Sequence, residues 1–256
     1  MGRFASTVTL YEELRPPYPP AFFRRVAQQL GFRSEHSLID LGTGPGLLAL
    51  GFAPYVGRIV GVDPEPAMIA AASTAAVRAS RALTLIEGKA EALPADLGSF
   101  DIVTVGRALH WMDSDATLAL LDRLVAPDGV ILVCSSHTAA DGRNAWLDEY
   151  NKARRGWSHE DLWSESRSGA RTHRDLATFF HGTRFRLADP VTLDASQEVS
   201  LNDLARRVLT FSSSSPEVLG DKAEAMLSDV GQRLLPLSRN GVVTEIFTAA
   251  AQVARR

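Results

Sequence analysis

Apolar positions along the first half of the chain alternate between short continuous runs and longer stretches with helical spacing. Phe22, Phe23, Val26, Ala27 and Leu30 share one helical face, with prolines before it and Gly31 at its end. Ser37 to Leu41 is then a short strand that stops at a glycine turn, and Leu47 to Leu50 opens a helix kept short by Gly51 and Pro54. The next strand covers Arg58 to Val62 and ends at Asp63. An alanine-rich segment, Ala67 to Arg81, predicts a helix entered through Pro64 and Pro66. Leu83 to Ile86 and Phe100 to Val105 read as the third and fourth strands. Leu118, Leu121 and Leu124 mark a helical face that Pro127-Asp128-Gly129 terminates, and Val130 to Val133 gives a fifth strand.

Strands alternating with helices predict an α/β fold with a mostly parallel sheet covered on both faces. After Cys134 the rhythm changes. Trp146, Tyr150, Trp157, Trp163, Phe179 and Phe180 lie among many arginines, and 198–229 reads as two helices separated by Ser212 to Pro216. Strand-like sequence returns at Phe185 to Leu187, Val191 to Leu193 and Val242 to Thr248. Four regions follow: a leading segment 1–36, a core 37–137, a mainly helical cap 138–229 interrupted by strand material near 185–193, and a return to the sheet over 230–256.

Composition narrows the function classes. With 45% hydrophobic and 22% charged residues, the 256-residue chain has an ordinary globular balance. A formal charge of −3 argues against capture of nucleic acid by a broadly basic surface. Cys134 is the only cysteine, which excludes an intramolecular disulfide and a multi-cysteine zinc site, and its apolar run makes it a buried strand residue. No apolar stretch reaches the roughly 18 residues of a membrane span, and the opening residues carry no apolar helix, so the expectation is a cytoplasmic protein without a membrane partner. Oligomeric state stays open.

The chemistry concentrates at the glycine turn. Gly42, Gly44 and Gly46 follow a strand and precede a helix, the context in which G-x-G-x-G lets backbone turn sharply and approach a ligand. Asp63 ends the adjacent strand 21 positions after Gly42, where a carboxylate can accept hydrogen bonds from both hydroxyls of a ribose. A helix cap is the structural alternative for Asp63. Pro45 stands between the last two glycines, a pattern distinct from the G-x-G-x-x-G of dinucleotide folds.

The sequence resembles the class I S-adenosylmethionine-dependent methyltransferases, in the small-molecule branch with ubiquinone-type and trans-aconitate-like enzymes. The resemblance rests on Tyr11 to Pro19, Asp40 to Gly46, Gly61 to Pro64, Gly88 to Pro94, Phe100 to Val103, Ala108-Leu109-His110-Trp111 and Leu124 to Gly129. It implies a Rossmann-like sheet with a helical cap or lid, and S-adenosyl-L-methionine as cofactor. Asp40, Gly42, Thr43, Gly44 and Gly46 would face the methionine half and Asp63 the ribose. Pro64 and Met68 would line the adenine pocket, with Ala90 and Glu91 at the adenine edge and Lys89 where relatives commonly carry an acidic residue. Gly106 and Arg107 would lie nearest the methionyl moiety. Tyr11, Arg15 and Tyr18 would close over the cofactor, with Arg15 offered to its carboxylate.

Such a cofactor arrives activated, so the protein mainly aligns the attacking atom and excludes water. The expected reaction is methyl transfer to an oxygen or nitrogen of a small metabolite, with secondary metabolism as one setting. His110 and His137 are the candidate general bases, and architectural roles are their alternatives. Substrate choice is expected in the cap, where Trp146, Tyr150, Trp157, Trp163 and Phe180 offer an aromatic cleft. Arg154, Arg155, Arg171, Arg174 and Arg184 offer positive charge there or pair with nearby acids. No compact metal-ligand pattern occurs. The competing readings are an RNA or protein methyltransferase and a cofactor-binding protein without transfer activity.

Overall fold

A computed structural model describes residues 14–157 and 175–256. The chain enters through α1 (Pro20–Leu30), which starts on proline and ends at Gly31 in the left-handed conformation. There follow β1 (Ser37–Leu41), α2 (Leu47–Phe52), β2 (Arg58–Asp63), α3 (Pro66–Arg78), β3 (Thr84–Glu87) and β4 (Phe100–Gly106). Next come α4 (Ser114–Leu124), β5 (Val125–Thr138), α5 (Leu147–Gly156) and α6 (Leu176–Phe179). The chain closes with β6 (Arg186–Ser200), α7 (Leu201–Val208), α8 (Pro216–Leu219), α9 (Ala223–Leu234) and β7 (Val242–Arg255).

These strands form one seven-stranded sheet in the order β3-β2-β1-β4-β5-β7-β6. The first five run parallel, while β7 lies antiparallel to both β5 and β6. The order reverses between β1 and β4, so the open crevice for a ligand lies at the carboxyl ends of those strands. One sheet face packs Ile39, Val60, Val103 and Ile131 against Leu120, Leu121 and Leu124 of α4. The other packs Leu38, Ile59, Ile102 and Leu132 against Phe22, Phe23 and Val26 of α1 and Phe52 of α2. The architecture is a Rossmann-like sheet flanked by helices, with a helical cap.

Three elements depart from the sequence pattern. Val130 to Val133 is the centre of a longer β5 in which Pro127-Asp128-Gly129 is included after a register shift against β4. Strand β6 continues to Ser200, well past Leu193, before Ser200 caps α7 by accepting the Asp203 backbone N–H at 3.0 Å. Strand β7 runs on through Ala249, Ala250, Ala251 and Ala254, residues of high helical propensity. Hydrogen-bonded neighbours on both sides override that propensity, and the buried small side chains of Ala249 and Ala251 join the α1 side of the core.

The cap position follows from strand register. The last β5 pair is Thr138 with Phe247, whereas β6 and β7 stay paired to Ser200 and Val242. Their hairpin therefore overhangs the carboxyl end of β5 by five residues of β7, about 16 Å at strand rise. A third apolar cluster grows on this overhang, joining Val199 and Val243 to Trp146 and Tyr150 of the α5 region, Leu204 and Val208 of α7, and Met226, Val230 and Leu234 of α9.

Candidate functional site

The glycine turn lies at the tip of β1. Gly42, Gly44 and Gly46 have φ values of +68°, +54° and +90°, which side chains rarely adopt. A Cβ on Gly42 would come within 2.4 Å of the Ala108 Cβ, so the turn is also pressed against the segment after β4. At Gly44 the space is open except for the Met68 sulfur, 3.9 Å from a Cβ built there.

Two carboxylates shape this turn differently. Asp40 is 1% exposed and accepts from Thr43 Oγ1 at 2.8 Å and from Thr104 Oγ1 at 2.7 Å, tying β1 to β4 and to the turn. Burial pushes its carboxyl up to about 6, against the opposing effect of those hydroxyls. Asp63, 8% exposed at the tip of β2, accepts the Gly44 N–H at 2.9 Å and the Glu65 N–H at 3.0 Å. Each of its oxygens keeps a further lone pair for a ligand hydroxyl. Asp63 thus ties the approach to α3 to the glycine turn through opposite oxygens.

Pro64 is exposed and Met68 half-buried beside Asp63. Ala90 is buried in a short turn after β3, while Glu91 accepts the Asp113 N–H at 3.0 Å and so fixes the entry to α4. Lys89 is exposed. Gly106 leaves no room for a side chain, since a Cβ would stand 2.6 Å from Leu48 Cδ1.

Arg107 adopts φ +57° at the tip of β4 and donates through Nη2 to the carbonyls of Pro16 at 2.7 Å and Ser136 at 3.0 Å. Its guanidinium also stands 5.2 Å from the Tyr18 ring centre. Ser136 Oγ donates to the Pro17 carbonyl at 2.8 Å. Arg15 donates to Thr210 Oγ1 at 2.8 Å and to the Thr210 carbonyl at 3.0 Å, and stacks over Phe211. Residues 15–18 therefore form a strap across the carboxyl ends of β4 and β5, fastened to the cap. Tyr11 lies outside the described residues.

The two histidines occupy different settings. His110, in a short turn over Leu109–Trp111, is exposed and packs its ring 4.7 Å from that of Trp111, itself 56% exposed. His137, near the end of β5, is exposed. Desolvation, followed by the positive charges of Arg107 and Arg15, holds its pKa below the usual histidine value of 6.5.

Of the aromatic residues expected to form one cleft, Trp146, Tyr150 and Trp157 share one apolar cluster while Phe180 lies in another. Trp146 is buried with Nε1 donating to the Thr244 carbonyl at 3.1 Å, and Trp157 donates to Asp229 at 2.8 Å. Phe180 packs with Phe179 and Phe185 beneath the opposite sheet face. Arg184 pairs with Asp122 at 2.7 Å, Arg155 is exposed, and Arg154 stacks 4.3 Å from the Phe211 ring centre. Trp163, Arg171 and Arg174 lie outside the described residues.

Sequence reasoning missed Thr104, Ser136, Thr210 and Phe211, as well as a buried ion pair in the cap. Arg207 meets Glu245 through two bonds of 2.7 and 2.8 Å, and Glu245 also accepts from Thr138 at 2.5 Å and Gln197 at 2.9 Å. Only residue alternation along β7 hinted that Glu245 faces inward with Val243 and Phe247. Among the described residues no group of three or more potential metal ligands occurs, and no helix is long and apolar enough to cross a membrane.

Comparison with known proteins converges on the same segment. The methyltransferase domain family model matches residues 39–133. Uncharacterized methyltransferase YcgJ of Bacillus subtilis (strain 168) is 36% identical over 121 residues, 46% of each chain. The crystal structure of YcgJ aligns with a TM-score of 0.55 and 19% identity, covering 92% of this chain and 98% of that one. Demethylmenaquinone methyltransferase of Thermus thermophilus is 34% identical over 116 residues, 43% of this chain and 52% of that one. In these sequence matches the chain spans about half the length of its curated relatives. A Geobacter sulfurreducens S-adenosylmethionine-dependent methyltransferase, solved with S-adenosyl-L-homocysteine, has a TM-score of 0.55 at 15% identity, covering 100% of this chain and 99% of that one. The family match contains the glycine turn, Asp63 and the tip of β4, and ends before the cap.

Proposed function

We propose that this chain, whose residues 39–133 match the methyltransferase domain family model, binds S-adenosyl-L-methionine and transfers its methyl group to an oxygen or nitrogen of a small metabolite. The observation that carries this reading is Asp63, held at the tip of β2 by the Gly44 N–H, with acceptor capacity left on both oxygens. The residues present suit the cofactor. Asp63 offers acceptors to a ribose, Met68 and Pro64 an apolar flank to adenine, and the side-chain-free Gly44 a close backbone approach.

When bound, the cofactor supplies a methyl group on a positively charged sulfur. The chain's own residues then orient the acceptor, exclude water and handle its proton. The strap of Arg15 to Tyr18 covers the crevice, pinned by Arg107, Ser136 and Thr210. His137, neutral at pH 7 because its pKa is lowered, is the base that takes the proton of a hydroxyl or amine acceptor at Nδ1 or Nε2. His110, exposed and tilted against the Trp111 ring, serves the mouth of the site. The Thermus relative, named for methylation of demethylmenaquinone, supports a small-molecule acceptor.

Calorimetry with S-adenosyl-L-homocysteine tests the reading. The wild-type chain is expected to bind it, and Asp63→Ala to weaken binding about 10-fold or more through loss of charged hydrogen bonds. Equal affinity in the two proteins would remove Asp63 from the site.

A further inference from the structure

The cap holds two buried hydrogen-bond donors that find no acceptor among the described residues: the Tyr150 hydroxyl and Arg207 Nε. Tyr150 is 4% exposed, and burial pushes its hydroxyl up to about 12, so it remains a proton donor throughout the physiological range. A buried donor left without an acceptor is costly and marks a place where a ligand atom or water completes the bond. Arg207 bonds Glu245 through both terminal nitrogens, while its Nε–H has no acceptor among the described residues.

The surroundings give the ligand a sign. Arg207, Arg154 and Arg15 are all close enough to act on the Tyr150 hydroxyl, against Glu245 as the acidic group acting there. Glu245 is consumed by the bidentate bond to Arg207 and by Thr138 and Gln197. Arg15 and Arg154 both stack on Phe211, with guanidinium carbons 4.0 and 4.3 Å from its ring centre. Arg15 also acts on His137, so the positive region runs from the cap to the end of β5, where acceptor chemistry takes place under the proposed function.

We propose that Tyr150, flanked by Arg15 and Arg154, anchors a carboxylate carried by the methyl acceptor, at a distance from the atom that is methylated. The acceptor class is thus a small organic acid with a separate hydroxyl or amino group. Tyr150 donates its O–H to the carboxylate, and the guanidinium groups supply charge that favours the ionised acid over a neutral analogue. This specificity reading rests on the proposed methyl transfer, yet its binding test does not require turnover.

The test uses the full chain, with and without S-adenosyl-L-homocysteine, and three matched probe pairs: 4-hydroxybenzoate and its amide, 4-aminobenzoate and its amide, and 6-aminohexanoate and its amide. Ligand-observed NMR titration is expected to show at least one acid binding about 10-fold more tightly than its amide, the scale of one charged hydrogen bond. Tyr150→Phe keeps the ring and should erase most of that preference while leaving homocysteine-product affinity and Tm nearly unchanged. Three acids that bind no better than their amides, or a preference untouched by Tyr150→Phe, would overturn the proposal. Failure to bind S-adenosyl-L-homocysteine would instead strike the cofactor reading, and the acid–amide comparison on the cofactor-free chain would still decide the anion site.

Discussion

At the scale of single residues, one position decides how the proposed reaction depends on pH. His137 is exposed near the end of β5, and its pKa is lowered first by desolvation and then by the charges of Arg107 and Arg15. A lowered pKa keeps the imidazole unprotonated to below pH 6.5, so its capacity as a base is present at neutral pH and lost as pH falls through the lowered value. With a hydroxyl or amine acceptor, the transfer rate is expected to fall on the acid side of that value. His137→Gln should reduce the rate about 100-fold and abolish the acid limb, within the usual range for a general base. A pH–rate profile identical in wild type and variant would assign the base elsewhere. Asp40 is the contrasting case: its two threonine bonds brace the turn from β1 and β4, while Asp63 holds the turn from the tip of β2.

Among elements, the strap at residues 15–18 depends on an arginine in a conformation that suits glycine. Arg107 at φ +57° bears backbone strain of order 1 kcal/mol, offset by its bonds to Pro16 and Ser136. Arg107→Ala loses the bonds and keeps the strain, whereas Arg107→Gly loses the bonds and relieves it. Glycine is therefore expected to be the more stable variant by about 1 kcal/mol in urea denaturation. Amide exchange at Arg15 and Tyr18 should rise in both. An alanine variant as stable as the glycine one would show that the left-handed backbone costs nothing.

Much of this element-level picture was legible beforehand. The helix ending at Gly31, strands β1 to β4 and the glycine turn all followed from local periodicity and from glycine and proline placement. The alanines of β7 were not, because a strand formed between β5 and β6 is a decision of distant partners. The strap bonds of Arg107, a residue named only for the methionyl moiety, and of Ser136 escaped for the same reason: they reach carbonyls 91 and 119 residues away. The aromatic cap residues misled in the other direction. Their composition suggested a cleft, while Trp146 and Phe180 serve separate apolar clusters.

Across the whole molecule, the cap stays over the sheet through charge buried at the overhanging hairpin. Glu245 lies on β7, is 0% exposed, and joins Arg207 of α7 to Thr138 at the end of β5 and Gln197 on β6. Its pKa is lowered because the Arg207 bonds and charge, with the Thr138 and Gln197 bonds, outweigh desolvation. A lowered carboxylate pKa contributes stability that is present above the ordinary value of 4.5 and lost as pH falls through the folded-state value. Desolvation of two charges consumes most of their attraction, so the pair is expected to fix the placement of α7 more than to add net stability. Removing one partner is different, because it leaves the other charge buried alone. Glu245→Gln should cost about 3–5 kcal/mol in urea denaturation at pH 7, whereas Arg207→Met combined with Glu245→Leu should recover most of that loss. The recovered double variant is the sharper probe of function. If the pair orients the cap and lends Arg207's charge to the Tyr150 site, the double variant folds with near-native Tm and loses the acid-over-amide preference, while its affinity for S-adenosyl-L-homocysteine is retained. A double variant that keeps the acid preference would show that packing around Trp146, Leu204 and Met226 suffices to hold the cap in place.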